Sequence, residues 1–299
     1  MLARRAWNRE HDMKVNSINH YVAEVTDYDY KDSAIVDVFK THRVLCIRNE
    51  NPVAPAQLIR LGEMFGEVYS HKLPLPFQSD AKLWVDGERK VFRVSNAVDK
   101  DNVPLGGLGN IWFHWHCDAS HEEGEFHGTI LYNHYNGHLA NTTFSDQAAA
   151  YHSLDDQQKA EFKNVTGHHM INHGPNRPQV FGSFEGSGDE RRAVPVKRPM
   201  VMKHPFTKEP CLYISPVTWA GCEPDNPSLT KEYIQTLAEK TNRNIYTHEW
   251  HQYDVGVFDS IGTMHERKSW NHGIRVMHRL HFNYDNCLEE KLNARSLLA

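Results

Sequence analysis

The sequence predicts an α+β fold that is mainly β, with a sandwich or jelly-roll core and flanking helices. From Val91 onward, short runs rich in β-branched and aromatic residues recur between turn residues, which is the pattern of many short antiparallel strands. The part of the chain before Val91 mixes helical and extended patterns. The chain has 299 residues, of which 39% are hydrophobic, so we expect a single domain over residues 1–299 with a substantial buried core.

The N-terminal part of the chain predicts two helices around a buried strand. Apolar positions between Ser33 and His42 indicate the first helix, and the continuous apolar run at residues 44–47 indicates the strand. Pro55 suits the start of the second helix, and Gly66 suits the residue just after its end. Residues 1–17 are expected to be a loosely ordered extension.

Short extended runs make up the predicted β core, and two helices interrupt them. The runs span residues 91–94, 111–118, 129–135, 200–202, 212–214, 255–258 and 275–284. One helix is expected to begin near Ser145, ahead of a run of three alanines, and the other near Ser228, ahead of apolar residues at helical spacing. Residues 182–193 are rich in Gly, Ser and Glu, which makes them the candidate for a mobile loop, with a lid and a plain surface loop as the two alternatives.

Composition and charge argue against several classes of partner. The formal net charge is -5 with histidine neutral, so no basic excess favours nucleic-acid binding. No apolar run approaches the length of a membrane span. The N-terminus lacks the apolar core of a signal peptide, and the five cysteines include no Cys-x-x-Cys pair, which indicates free thiols in a reducing compartment. We therefore expect a cytoplasmic protein; a short organellar targeting segment and a homo-oligomer both stay open.

The segment 112–118, which reads WFHWHCD, contains a His-x-Asp pair. In a β-strand, residues i and i+2 point to the same side, so His116 and Asp118 can reach one metal ion from one short extended segment. A third ligand is available far downstream at His265. Two histidines and one carboxylate on one face of an ion form the facial triad of non-haem Fe(II) sites, which leaves positions open for a co-substrate and O₂.

Strand alternation also assigns the neighbours of the His-x-Asp pair. Trp112 and His114 fall on the ligand face and are candidate substrate contacts, whereas Cys117 turns to the opposite face, where packing is expected. A competing set of ligands, His121-Glu122-Glu123, stands close by. Because the chain has 21 histidines, such a pair can arise by chance and needs structural context before it counts.

That context comes from four sequence blocks, whose order resembles the taurine dioxygenase family of Fe(II)/2-oxoglutarate-dependent oxygenases. The blocks are residues 39–68, 115–120 (WHCDAS), 141–154 (NTTFSDQAAAYHSL) and 254–279. The resemblance implies a catalytic domain with a double-stranded β-helix (jelly-roll) core, in which His116, Asp118 and His265 hold Fe(II). The set at 121–123 has no place in these blocks.

The resemblance also implies a binding site for 2-oxoglutarate. A guanidinium suits the distal carboxylate of this co-substrate, because its planar fork meets a carboxylate through two parallel hydrogen bonds. Arg275 is the implied anchor, and Thr142 adds a hydroxyl donor. Arg279 is expected nearer the iron, against an anionic group of the substrate or the inner carboxylate. Ser120 is a further candidate substrate contact.

The activity implied by the resemblance is oxidation of a C–H bond in a small anionic or zwitterionic substrate, such as an amino acid, a carboxylate or a sulfonate. The reaction would be hydroxylation, desaturation or ring closure, with Fe(II), O₂ and 2-oxoglutarate consumed to succinate and CO₂, and with ascorbate as reductant in vitro. Two alternatives stay open. One is a cupin-like metal enzyme that does not use 2-oxoglutarate, and the other is a non-catalytic binding module on the same fold.

Overall fold

The computed structural model describes residues 13–70, 81–122, 124, 127–172, 180–181, 183–185 and 192–288. The α-helices are α1 Ile35–Thr41, α2 Pro55–Phe65, α3 Gln147–His152, α4 Asp156–Phe162 and α5 Lys231–Thr241. The strands are β1 Lys14–Ser17, β2 Val22–Thr26, β3 Val44–Ile47, β4 Phe92–Ser95, β5 Gly107–Leu108, β6 Phe113–His116, β7 Gly128–Tyr135, β8 Thr142–Asp146, β9 Thr166–His169, β10 Ile171–Asn172, β11 Val180–Phe181, β12 Ser183–Glu185, β13 Arg192–Val194, β14 Val196–Pro199, β15 Val201–Lys203, β16 Pro210–Leu212, β17 Trp219–Glu223, β18 Tyr246–His248, β19 Val255–Asp259, β20 Thr263–Arg267 and β21 Val276–Phe282.

Two sheets form the core of the fold. The major sheet has eight strands in the order β1-β2-β3-β19-β7-β21-β4-β5, and the minor sheet has four in the order β18-β8-β20-β6. They pack face to face, because Phe144 of the minor sheet meets Phe258 of the major sheet with ring centroids 5.1 Å apart. The mainly β, jelly-roll architecture predicted from the sequence is confirmed.

The outer face of the major sheet is covered by helices α1 and α2. Phe39 and Phe65 of these helices pack together, and Phe65 stacks on Phe282 of β21 with centroids 4.8 Å apart. At Gly62 of α2, a Cβ atom would lie only 3.1 Å from Leu280, so the absent side chain lets the helix approach the sheet closely. Because both faces of the major sheet are covered, all five residues of β19 are buried. This explains why the sequence of the strand is a nearly continuous apolar run.

Side-chain caps fix where three of the helices begin. Asp146 accepts hydrogen bonds from the backbone N–H groups of Ala148 and Ala149 at the start of α3. Asp155 accepts from Gln158 at the start of α4, and Thr230 caps α5 in the same way. Each cap satisfies backbone donors that the first helical turn leaves without partners.

Several boundaries differ from the sequence expectation. Residues Lys14–Ser17 of the predicted extension form β1, because they pair antiparallel with β2; residues 1–12 lie outside the described part. Within the predicted loop at 182–193, β12 pairs with β13, and the remaining positions are not described. The run at 212–214 contributes only its first residue to β16. Treating residues 1–299 as one domain stays a prediction.

The five cysteines, Cys46, Cys117, Cys211, Cys222 and Cys287, are free thiols and all are buried, as the absence of a spacing pattern predicted. Among the described helices, none combines the length and the apolar character that crossing a bilayer requires.

Candidate metal centre

His116, Asp118 and His265 converge where the minor sheet faces the major sheet. One ligand atom from each lies within 4.8 Å of the others. The Asp118 carboxylate oxygens lie 3.7 Å from His116 Nε2 and 3.8 Å from His265 Nε2. These separations are below twice a typical metal–ligand bond of about 2.1 Å, so one ion can bridge the three groups. Among the described residues, this is the one group of three His, Cys, Asp or Glu side chains with metal-binding geometry.

Strand pairing explains the convergence. His265 of β20 lies directly opposite His116 of β6, and directly opposed residues present their side chains on one face of a sheet. Asp118 follows two residues after His116 but lies just beyond the end of β6. The alternation predicted for this segment therefore holds for His116, while the chain has already turned at Asp118.

The electrostatic environment prepares these groups to bind a cation. Burial lowers the pKa of His116, and burial lowers the pKa of His265 to about 3, so both imidazoles are neutral at pH 7. Burial alone would raise the pKa of Asp118, but the positive charge of the nearby Arg279 holds it well below its usual range. Two neutral imidazoles and an ionised carboxylate are the protonation states that a metal ion requires.

Hydrogen bonds orient two of the three candidate ligands. His116 Nδ1 donates to the His114 carbonyl at 2.7 Å, which leaves Nε2 free to face an ion. Thr129 Oγ1 donates to Asp118 at 3.1 Å. The single hydrogen of the Thr129 hydroxyl is used in this bond. The imidazole of His281 is therefore the donor in the 3.0 Å contact between Thr129 Oγ1 and His281 Nδ1. Asp118 is thus held by a chain that begins on β21 and passes through β7.

Cys117 points away from the ligands, as alternation predicted. Its backbone N–H donates to Ser215 Oγ at 3.3 Å, and its thiol contacts the Ile214 carbonyl at 3.5 Å. The side chain is 1% exposed and belongs to the main hydrophobic core, so its role is packing.

Arg275 lies just before β21 and is almost completely buried, with 1% of its surface exposed. Its guanidinium donates to the backbone carbonyls of Gly137 at 3.2 Å and Ala140 at 3.0 Å. It also lies over the Trp270 ring at 5.7 Å. No carboxylate among the described residues pairs with this buried cation. Thr142, two residues after Ala140, accepts a hydrogen bond from the Trp250 indole at 3.1 Å.

Arg279 of β21 stands beside the three ligands. Its guanidinium lies 3.4 Å from Asp118 Oδ1, and 19% of its side chain is exposed. It also lies over the Phe92 ring at 5.4 Å. Of Thr142, Arg275 and Arg279, the three residues predicted to bind the co-substrate, Arg279 is the one with a described contact to a predicted metal ligand.

The candidate substrate contacts lie in two different surroundings. Trp112 is half exposed and stacks on His114 with centroids 4.0 Å apart. His114 Nδ1 is 3.1 Å from Gln235 of α5, so this pair packs towards a helix. Ser120 is completely buried and its hydroxyl is bonded to Thr218 at 2.9 Å. A substrate-binding role for these three residues stays a prediction.

Sequence reasoning missed Arg267, and it set aside His121 and Glu122. Arg267 lies two residues after His265 on β20, a spacing that places both side chains on one face and could have identified it. His121 Nε2 lies 3.9 Å from Glu122. Burial raises the pKa of Glu122 to about 7 and lowers that of His121 to about 3. Neither belongs to the group of three potential ligands, and Glu123 is outside the described residues.

The chain is similar in sequence to known dioxygenases. The family model described as taurine catabolism dioxygenase TauD, TfdA family matches residues 20–281. Pentalenolactone F synthase of Streptomyces avermitilis is 23% identical over 247 residues, which cover 77% of this chain and 78% of the relative. The (S)-phenoxypropionate/alpha-ketoglutarate-dioxygenase of Sphingobium herbicidovorans is 26% identical over 208 residues, which cover 66% of this chain and 69% of the relative.

Solved structures share the fold. A taurine dioxygenase from Burkholderia xenovorans superimposes with a TM-score of 0.68 at 20% identity, covering 91% of this chain and 90% of that one. AAD-2 in complex with Mn(II) and N-oxalylglycine superimposes with a TM-score of 0.66 at 20% identity, covering 90% of this chain and 96% of that one.

Proposed function

Because the chain belongs to the taurine catabolism dioxygenase TauD, TfdA family, we propose that it is a 2-oxoglutarate-dependent non-haem iron dioxygenase acting on a small molecule. The substrate in this proposal is anionic or zwitterionic, such as an amino acid, a carboxylate or a sulfonate. Oxidation of one of its C–H bonds, by hydroxylation, desaturation or ring closure, accompanies the conversion of 2-oxoglutarate to succinate and CO₂.

One observation carries the proposal, namely the convergence of His116, Asp118 and His265. Their ligand atoms lie within 4.8 Å of one another, and the set contains two imidazoles and one carboxylate. Such a set suits Fe(II) and leaves coordination positions open. When bound there, Fe(II) supplies the activation of O₂ that is coupled to oxidative decarboxylation of the 2-oxo acid.

The buried charge of Arg275, which pairs with no carboxylate among the described residues, supports 2-oxoglutarate as the co-substrate. A buried cation is costly unless an anion or several hydrogen bonds compensate it, and the described partners of Arg275 are two backbone carbonyls. A carboxylate bound in a bidentate manner would complete its hydrogen bonding. Thr142, next to the segment that contacts Arg275, is the proposed hydroxyl donor to the same carboxylate.

Arg279 supports the charge preference proposed for the substrate. Its guanidinium is partly exposed and lies beside Asp118, so an anionic group entering the site would meet a positive charge next to the metal ligands. Two neighbouring residues orient the candidate metal ligands. His114 and Thr129 fix the directions of His116 and Asp118 through the hydrogen bonds described above.

A succinate-release assay tests the proposal. Purified protein with Fe(II), ascorbate and 2-oxoglutarate is incubated with a panel of amino acids, carboxylates and sulfonates, and succinate is measured. We expect at least one compound to increase succinate release above the substrate-free rate. Binding of the metal without any binding of 2-oxoglutarate would contradict the proposal and favour a cupin-like enzyme.

The cellular setting is part of the same proposal. Five buried free thiols support a reducing compartment such as the cytoplasm, where an Fe(II) enzyme also finds its metal in the reduced state.

A further inference from the structure

Two buried arginines lie near the same tryptophan ring, and neither has an acidic partner among the described residues. Arg267 is 7% exposed and Arg275 is 1% exposed. Both guanidinium groups lie over the Trp270 ring, at 4.9 Å and 5.7 Å. No described carboxylate pairs with either of them. In contrast, the buried Arg43 lies 3.2 Å from the carboxylate of Asp146.

The two positive charges are only partly compensated by the protein. One guanidinium nitrogen of Arg267 donates to the carbonyls of Leu108, Gly109 and Ile111, but its buried Nε has no hydrogen-bond partner. Guanidinium groups carry their charge at neutral pH, so the two positive charges repel each other, an arrangement that a bound anion would stabilise.

The position of Arg267 on β20 places it on the same face of the strand as a candidate metal ligand. It lies two residues beyond His265, so the two side chains share one face of the strand. In the pairing of β20 with β8, Arg267 lies directly opposite Thr142, which places these side chains on the same face as well. Residues i and i+2 of a strand are roughly 6.6 Å apart, a span that a five-carbon dicarboxylate can bridge.

We propose that Arg267 is a second cationic contact for the distal carboxylate of 2-oxoglutarate, so that this carboxylate binds between two guanidinium groups. This inference rests on the proposed function, and it adds a residue that sequence reasoning did not assign. The alternative is a purely structural role, in which Arg267 serves only to hold residues 108–111 in place through their carbonyls. The two readings differ in their dependence on the distal carboxylate of the ligand.

A pair of ligands separates these readings. Calorimetric titrations use protein loaded with Mn(II), which does not turn over, and compare 2-oxoglutarate with 2-oxobutyrate, which has the same 2-oxo acid end but no distal carboxylate. For Arg267→Gln we expect affinity for 2-oxoglutarate to fall by about tenfold or more, with affinity for 2-oxobutyrate within about twofold of wild type. Arg275→Gln should show the same selective loss.

Two further variants make the experiment decisive. Arg267→Lys keeps the charge but not the planar fork, and it should show a smaller loss that is again confined to 2-oxoglutarate. Arg243→Gln is a matched control, because Arg243 also donates to backbone carbonyls, at the end of α5, and it should bind both ligands as wild type does.

Two results would overturn the inference. Equal loss of affinity for both ligands in the Arg267 variants would show that this residue only holds residues 108–111. Unchanged affinity for both would show that it does not contact the co-substrate. If wild-type protein binds neither ligand, the proposed function itself fails. This outcome differs from the two above, because both of them require a measurable wild-type affinity for 2-oxoglutarate.

Discussion

His265 lies directly across the β20–β6 pair from His116, with imidazole centroids 4.1 Å apart. This contact joins two residues separated by about half of the chain. It exists because β20 pairs with β6 on one edge and with β8 on the other. The candidate metal centre therefore depends on the register of the minor sheet, and the roles of residues that position its three side chains can be tested.

Thr129 is expected to position Asp118 for metal binding. Thr129→Val keeps the shape of the side chain but removes the hydrogen bond to the carboxylate. We expect Mn(II) affinity, measured by calorimetry, to fall by about 10-fold to 100-fold. Thr143→Val is a matched control, because Thr143 bonds to Thr247 in an exposed pair. Equal metal affinity in wild type and Thr129→Val would contradict this role.

Arg275 is expected to act on 2-oxoglutarate and not on the primary substrate. Arg275→Ala should raise the apparent KM for 2-oxoglutarate by about tenfold or more, while the KM for the primary substrate changes little. The measurement is steady-state succinate release with each compound varied in turn. An unchanged requirement for 2-oxoglutarate would show that the anchor lies elsewhere.

Arg279 is expected to contribute to the choice of an anionic substrate. Arg279→Gln should raise the KM for such a substrate by about tenfold, and slow, substrate-free consumption of 2-oxoglutarate should persist. Arg60→Gln, a change at an exposed position of α2, serves as the control. A variant with wild-type preference for charged over neutral analogues would rule out this role.

Asp259 is expected to link stability to pH. Burial alone would raise its pKa, but His204, Tyr284 and backbone N–H groups hold the pKa below its ordinary value. Because the folded-state pKa is depressed, the stabilisation is fully present above the unfolded carboxyl pKa of about 3.9 and is lost as pH falls through the folded value.

Asp259→Asn should therefore lower the free energy of unfolding at pH 7 by about 3 kcal/mol and should weaken its pH dependence below about pH 4. Chemical denaturation at several pH values measures both effects. Asp225→Asn, at an exposed position, is the control. Parallel pH profiles for Asp259→Asn and wild type would show that another group controls acid unfolding.

Sequence patterns predicted the fold class and the grouping of the candidate metal ligands for identifiable reasons. The short apolar runs, the His-x-Asp spacing and the position of His265 beside an apolar run are local properties of the sequence. The ligand identities implied by the family resemblance agree with the geometric cluster of His116, Asp118 and His265, although their roles in catalysis stay predictions.

The parts that sequence reasoning missed depend on contacts distant in the chain. Strand β1 has four exposed residues and no apolar alternation, so only its pairing with β2 defines it. Strand β8 runs directly into α3, and the serine at its fourth position, Ser145, suggested a helix start. No carboxylate in the described part of the chain pairs with Arg267, and sequence reasoning could not recognise this because it is a property of the folded structure.

Metal binding by Asp118→Ala tests the central claim most directly. Wild-type protein titrated anaerobically with Fe(II) should bind one ion per chain and should then bind 2-oxoglutarate. Asp118→Ala should lose most of its Fe(II) affinity and release no substrate-dependent succinate, while keeping the fold measured by circular dichroism. A variant that keeps wild-type Fe(II) affinity and succinate release would contradict the assignment of His116, Asp118 and His265 as the iron site.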